Sequence, residues 1–283
     1  MILAVTPNFV AFVFIGLVSV VALYEYYCFQ GSLFSEASLV SKIIVTKPAH
    51  VNSTAVCLSL AVIPINLFIQ YLKWDQTALG LVPLVVILFL PSLLVISNET
   101  TRALANFGFM ATGLLFFVYA LSYAAALTRF GMMPLLLCVV FTELRDLVSY
   151  WAGKFFSKAE IKNSRWPILR VINHKIAPKV SPHKSWGVGL ISILFIIVVG
   201  LLSRPLLPPE LQAQATPALI ALWTACLGFF GLMGDLVFSL FKREFGLKDS
   251  GSLLPGNTGM IDRIDGLVFT IPVTYFFFRW ISF

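Results

Sequence analysis

Long, uninterrupted apolar runs constrain this chain more than any other feature. They fall at 9–29, 54–72, 78–97, 106–127, 131–151, 186–203, 217–241 and 266–282. A helix needs roughly 20 apolar residues to cross the hydrocarbon core of a bilayer. Inside lipid the backbone must satisfy its own N–H and C=O groups, so only helices and closed barrels can span. The runs are continuous rather than alternating, which selects helices. The predicted fold is therefore all-α: a polytopic integral membrane protein with about eight transmembrane helices. Pro83 and Pro91 interrupt the third run and leave seven to nine open. Composition agrees, with 59% hydrophobic and 12% charged residues, against about 25% charged in a soluble domain.

The formal net charge is +7. In a membrane chain such an excess reports cytoplasmic loops beside anionic headgroups, so membrane lipids are expected partners and nucleic acid is not. Cys28, Cys57, Cys138 and Cys226 lie in or beside apolar runs without a CxxC, and His50, His174 and His183 are far apart in sequence. Neither a disulfide framework nor a structural zinc site is expected. The N-terminal run is long enough to span and lacks a basic start, so it reads as a retained helix.

The 152–185 connection carries Lys154, Lys158, Lys162, Arg165, Arg170, Lys175, Lys179 and Lys184 against the single acid Glu160. The positive-inside rule places it in the cytoplasm, together with the loop at 242–263. Residues 1–130 are nearly free of charge within the spans and read as scaffold helices. Residues 131–283 hold almost all the intramembrane charge and read as the catalytic region of one membrane domain.

Charged residues inside spans are costly and mark functional sites by default. Glu25, near the end of the first span, is expected to snorkel to the interface. Glu143, Asp146 and Tyr150 share a helix face by their spacing, with Arg145 beside them as a neutralising partner. Asp235, Ser239 and Lys242 share a face near the inner end of the seventh span, flanked by Arg243. Asp262 and Asp265 open the last span, with Arg263 between them, after the Gly- and Pro-containing stretch SGSLLPGNTG. Acids at a helix start suit the helix dipole, and the loop before them can present backbone N–H groups to an anion. Asp235 and Asp262, on helices joined by one loop, are candidates to meet at the membrane face. Hard carboxylate oxygens suit Mg²⁺, which keeps waters and shares substrate phosphates. Carboxylates for a divalent cation, with Lys and Arg for phosphates, are what phosphoryl or nucleotidyl transfer requires.

The polar positions between Ser239 and Asp265 carry a specific resemblance. Ser239-x-x-Lys242-Arg243, Lys248-Asp249-Ser250-Gly251, Leu254-Pro255-Gly256, Gly259 and Asp262-Arg263-x-Asp265 resemble the signature of the phosphatidate cytidylyltransferases. Asp146-x-x-x-Tyr150-x-x-Gly153-Lys154 and Ser181-Pro182-x-Lys184-Ser185-Trp186 resemble two further blocks of that family. The resemblance runs from about 140 to the last residues. It implies transfer of CMP from CTP to phosphatidic acid, giving CDP-diacylglycerol and pyrophosphate. It also implies metal ligation by Asp235 and Asp262, with Mg²⁺ and a second, monovalent cation such as K⁺.

By the same resemblance the catalytic set is Asp235, Asp262, Lys242, Arg243, Lys248, Asp249, Arg263 and Asp265. Substrate contacts fall to Ser239, Asp146, Tyr150, Lys154, Ser181, Lys184, Asn257 and Gly259. The family also includes homodimers. A bacterial inner-membrane location with a cytoplasm-facing site follows as the expected setting. The chain departs from the family's usual residues at Arg145, Gly187, Phe238 and Asn257-Thr258. The alternatives are transfer to another lipid phosphate, a polyprenol- or phytol-kinase-like reaction, and a non-enzymatic membrane partner.

Overall fold

The computed structural model describes residues 7–33, 103–156, 174–251 and 258–282, with the separate positions 62–63, 83, 88 and 91–92. Helix α1 is Pro7–Leu33. Helix α2, Ala103–Gly113, runs through a π-helical turn at Leu114–Ala120 into α3, Leu121–Leu127. Helix α4 is Met132–Phe156. Strands β1, Lys175–Ala177, and β2, Ser181–Ser185, form a short antiparallel hairpin. Helices α5, Trp186–Ser203, α6, Pro209–Gln214, α7, Pro217–Glu244, and α8, Ile261–Ile281, follow.

Among the described residues, five helical segments are long and apolar enough to cross a membrane: Val10–Phe29, Ala105–Phe130, Trp186–Leu206, Pro217–Glu244 and Ile261–Ile281. The chain is a helical, polytopic integral membrane protein, as its apolar runs predict. Helix α4 covers the expected run at 131–151 but carries Glu143, Arg145 and Asp146 in its middle, which keeps it out of that set. The expected runs at 54–72 and 78–97 lie outside the described residues apart from single positions.

The chain divides into two compact units. The first comprises Met1–Ala126 and Phe241–Ile264, and the second Leu127–Leu240 and Asp265–Phe283. The first unit is held by aromatic packing. Tyr26 of α1 stacks on Phe109 of α2 with ring centres 4.4 Å apart, and lies 5.4 Å from Phe117. Phe245 packs on both Phe29 and Phe109. Such pairs contribute about 0.5–1.5 kcal/mol each beyond area burial. Gly113 makes the approach of Tyr26 possible, since a Cβ there would meet the ring at 2.9 Å.

The second unit relies on small residues and buried hydroxyls. Lipid tails are as apolar as Leu, so helices in a membrane associate through close packing and interhelical hydrogen bonds. A Cβ on Gly228 would meet Ile193 at 2.8 Å, and one on Gly234 would overlap the Asp265 carbonyl oxygen. Thr142 of α4 bonds Thr270 of α8 at 3.0 Å, and the Trp223 indole N–H donates to Thr274 at 3.2 Å. Gly131 turns the chain into α4 with φ of 94°, where any side chain would be strained.

The α7–α8 approach gives a direct expectation. Gly234→Ala should destabilise the protein by about 1–3 kcal/mol, because the obstructing atom is backbone and cannot rotate away. A fall in the thermal unfolding midpoint of purified protein checks this. The approach is not tight if Gly234→Ala melts with the parent.

Candidate active site

Two charged centres emerge, one in each unit. In the second unit, Asp235 of α7 is the focus. Lys184, delivered by strand β2, places Nζ 2.6 Å from Asp235 Oδ2. Arg145 of α4 donates from Nη2 to the same oxygen at 3.3 Å and also pairs with Asp146. Arg145 is only 1% exposed, and its guanidinium lies against Gly231, where a Cβ would meet Cζ at 3.1 Å. Asp265, in the second turn of α8, is hydrogen-bonded to Asp235 and feels the charge of Asp146. Its own Oδ1 accepts from the Gly266 N–H at 2.7 Å. Three carboxyl groups thus face two cations.

Local folding explains why these groups converge. Lys184 sits two residues before α5, where the Trp186 N–H donates to the His174 carbonyl at 3.0 Å and ties down the hairpin. Lys175 pairs with Ser185 and Ala177 with Ser181 in the same ladder. Glycine at 231 leaves room for the Arg145 guanidinium, which a Cβ there would crowd at 3.1 Å.

In the first unit, Asp262 opens α8. Its Oδ1 accepts from Lys242 Nζ at 2.5 Å. Its Oδ2 accepts from the Ser250 N–H at 2.8 Å, the Ser250 hydroxyl at 2.9 Å and the Gly259 N–H at 3.3 Å. A carboxylate offers about four lone-pair sites, so Oδ1 retains capacity for one more partner. Glu25 of α1 belongs to the same network. Its Oε2 accepts from Ser250 Oγ at 3.2 Å and from the Ile261 N–H at 2.9 Å. Glu25 is 3% exposed, so the expected snorkelling to the interface is corrected: the carboxylate turns inward to cap the start of α8.

The remaining expected site residues are placed as follows. Ser239 is half-buried on α7 and Ser181 half-buried at the start of β2. Arg243, Lys248, Asp249 and Arg263 are exposed, the first donating to the Leu247 carbonyl at 3.0 Å and the last to Thr258 Oγ1 at 3.4 Å. Tyr150 is exposed at the outer surface of α4, and Lys154 lies 5.5 Å over the Trp151 ring. Asn257 lies outside the described residues. Asp235 belongs to the second unit and Asp262 to the first, so each is placed only within its own unit.

Two residues do more than the sequence predicts. Arg145 neutralises its neighbour Asp146, as expected, and also reaches Asp235. Glu25, expected at the interface, is buried, and a lone acid in an apolar span is itself a signal.

A Mg²⁺ ion is expected from the sequence. Among the described residues no group of three or more His, Cys, Asp or Glu side chains is placed to hold a metal ion. The donor chemistry still fits. Both centres offer carboxylate oxygens only, and the Asp146–Asp235–Asp265 group has one more acid than cations. Mg²⁺ is typically held by one or two carboxylates and takes its other ligands from water and phosphate.

Comparison with known proteins identifies the family. The model of the cytidylyltransferase family matches residues 1–281. An Escherichia coli K12 protein named "Uncharacterized protein YnbB" is 32% identical over 225 residues, covering 77% of this chain and 69% of that protein. The phosphatidate cytidylyltransferase of Thermotoga maritima is 28% identical over 188 residues, covering 66% of this chain and 64% of that protein. That of Haemophilus influenzae is 35% identical over 153 residues, covering 52% and 46%. The chain thus spans between about half and two thirds of the length of these named enzymes. A family match over residues 1–281 and apolar helices long enough to span lead to one conclusion: the chain belongs to the cytidylyltransferase family and is an integral membrane protein.

Proposed function

We propose that this protein is a CTP:phosphatidate cytidylyltransferase. It transfers CMP from CTP to phosphatidic acid and releases pyrophosphate. The observation that supports this reading most is the convergence of Lys242, Ser250 and the Gly259 N–H on Asp262. A phosphatidate oxygen attacks the α-phosphorus of CTP, the bond to the β-phosphate breaks, and CDP-diacylglycerol forms. The acceptor already carries an ionised phosphate, so no protein nucleophile is required.

Asp235 and Asp262 are the residues that would hold Mg²⁺, which supplies charge neutralisation to the phosphates when bound. A monovalent cation such as K⁺ belongs to the same proposal. Lys184, Lys242, Arg243, Lys248 and Arg263 are the cations available to the triphosphate and the lipid phosphate. The basic 152–185 connection faces the cytoplasm of a bacterial cell in this reading, where CTP is supplied.

Asn257-Thr258, in place of the family's more usual residues, favours a second reading in which the acceptor is a different lipid phosphate. Pyrophosphate release by purified protein in vesicles separates the two. With CTP and Mg²⁺, release should depend on added phosphatidic acid. Release supported by another lipid phosphate but not by phosphatidic acid would instead assign the second reading.

A further inference from the structure

Burying a carboxylate costs several kcal/mol unless its oxygens are well partnered. Glu25 is buried with Oε1 lacking any hydrogen-bond partner, while Oε2 accepts from Ser250 Oγ and the Ile261 N–H. Those two donors stand at opposite ends of the signature loop: Ser250 enters it and Ile261 begins α8. One carboxylate on the first helix therefore joins Ser250 to Ile261, residues at sequence separations of 225 and 236 from it.

The glycines of the signature fit around the same group. A Cβ on Gly251 would overlap Glu25 Oε1 and meet its Cδ at 3.0 Å. One on Gly259 would meet Oε1 at 2.5 Å and Cδ at 2.7 Å. The backbone must come this close for the carboxylate to reach both loop ends. The grip continues to Asp262, because the Ser250 hydroxyl faces Asp262 Oδ2 at 2.9 Å and accepts from the Asp262 N–H at 3.3 Å. A hydroxyl has a single proton, so Ser250 donates to one of the two acids at a time and lies within reach of both.

We infer that Glu25 is a positioning residue: it fixes the two ends of the Ser250–Ile261 loop on one carboxylate and thereby holds Asp262 and Lys242 in register for nucleotide transfer. Its catalytic part rests on the function proposed above, whereas its loop-closing part does not. The acceptor geometry of Glu25, rather than its exposure to lipid headgroups, is what the chain uses. This gives the otherwise uncharged N-terminal helices a share in the reaction.

Hydrogen–deuterium exchange on the full chain in lipid nanodiscs tests the proposal, read alongside transfer from α-labelled CTP. Glu25→Ala removes two acceptor bonds and should speed exchange across 248–251 and 258–264 by about tenfold or more. The remainder of α1 and the Pro217–Leu240 part of α7 should exchange as in the parent. The kcat for transfer should fall by a similar factor, with a smaller change in KM for CTP, since Glu25 acts through Asp262. Glu25→Gln keeps an acceptor oxygen and should recover most of both losses. Ser250→Ala cuts the same link from the loop side and carries the same expectation, should Glu25→Ala fail to fold.

Unchanged exchange at the loop ends would overturn the proposal. So would acceleration spread evenly through α1 and α7, a Gln variant as impaired as Ala, or a loosened loop with unchanged kcat. If exchange responds as expected but the parent transfers no cytidylyl group, the functional reading fails and the loop clamp stands.

Discussion

Asp235→Asn should lower cytidylyl transfer about a thousandfold, the scale seen when a charged or donor group is removed from the centre of a transfer site. The substitution keeps volume and one acceptor oxygen but removes the charge that Lys184 and Arg145 share. Folding should survive. Arg145 keeps Asp146 as a partner, and the Lys184 side chain, 26% exposed, can turn to solvent or headgroups. Transfer from CTP by the reconstituted variant, with its unfolding midpoint measured in parallel, checks both halves. A variant retaining a tenth or more of parental activity would remove Asp235 from the chemistry.

The second large effect falls on stability. Arg145→Leu should destabilise the protein by about 3–5 kcal/mol, since removing one partner of a buried pair leaves the others uncompensated. Arg145 is almost fully buried and links Asp146 to Asp235, with Asp265 adjoining. After the change, three acids share Lys184 alone. Arg145→Lys restores the charge without the planar fork that lies against Gly231, so an intermediate loss is expected. Thermal unfolding of the three proteins in one detergent gives the ranking parent, Lys, Leu. Equal midpoints for parent and Leu would show that the acids are satisfied elsewhere.

Much of the architecture was legible in the sequence because lipid enforces a simple rule. A span must be apolar over its length, so the helices at 9–29, 106–127, 186–203, 217–241 and 266–282 could be read directly. Helix α4 shows where the rule weakens: three charges in its middle look unfavourable until Arg145 is seen bridging to Asp235. Periodicity placed Asp146 and Glu143 on one face but had no means of giving Arg145 a partner 90 residues away. The short hairpin at 175–185 was invisible because a two-strand ladder in a basic loop leaves no hydrophobic pattern.

The site was legible wherever a motif is contiguous. Lys242, Ser250, Gly259 and Asp262 lie within 21 residues, and the structure joins them. Glu25 was not legible, because nothing local marks a carboxylate whose partners are 225 and 236 residues distant. Proximity in the fold, not spacing along the chain, turns a residue expected at the interface into the cap of α8.

The fate of the CTP phosphates distinguishes cytidylyl transfer from every other reaction considered. Purified protein in phosphatidic acid vesicles with Mg²⁺ should move α-label from CTP into a lipid that co-migrates with CDP-diacylglycerol. Label placed on the γ-phosphate should leave as pyrophosphate. γ-Label in the lipid would identify a kinase, and absence of both labels from lipid, beside an active known family member, would contradict the account.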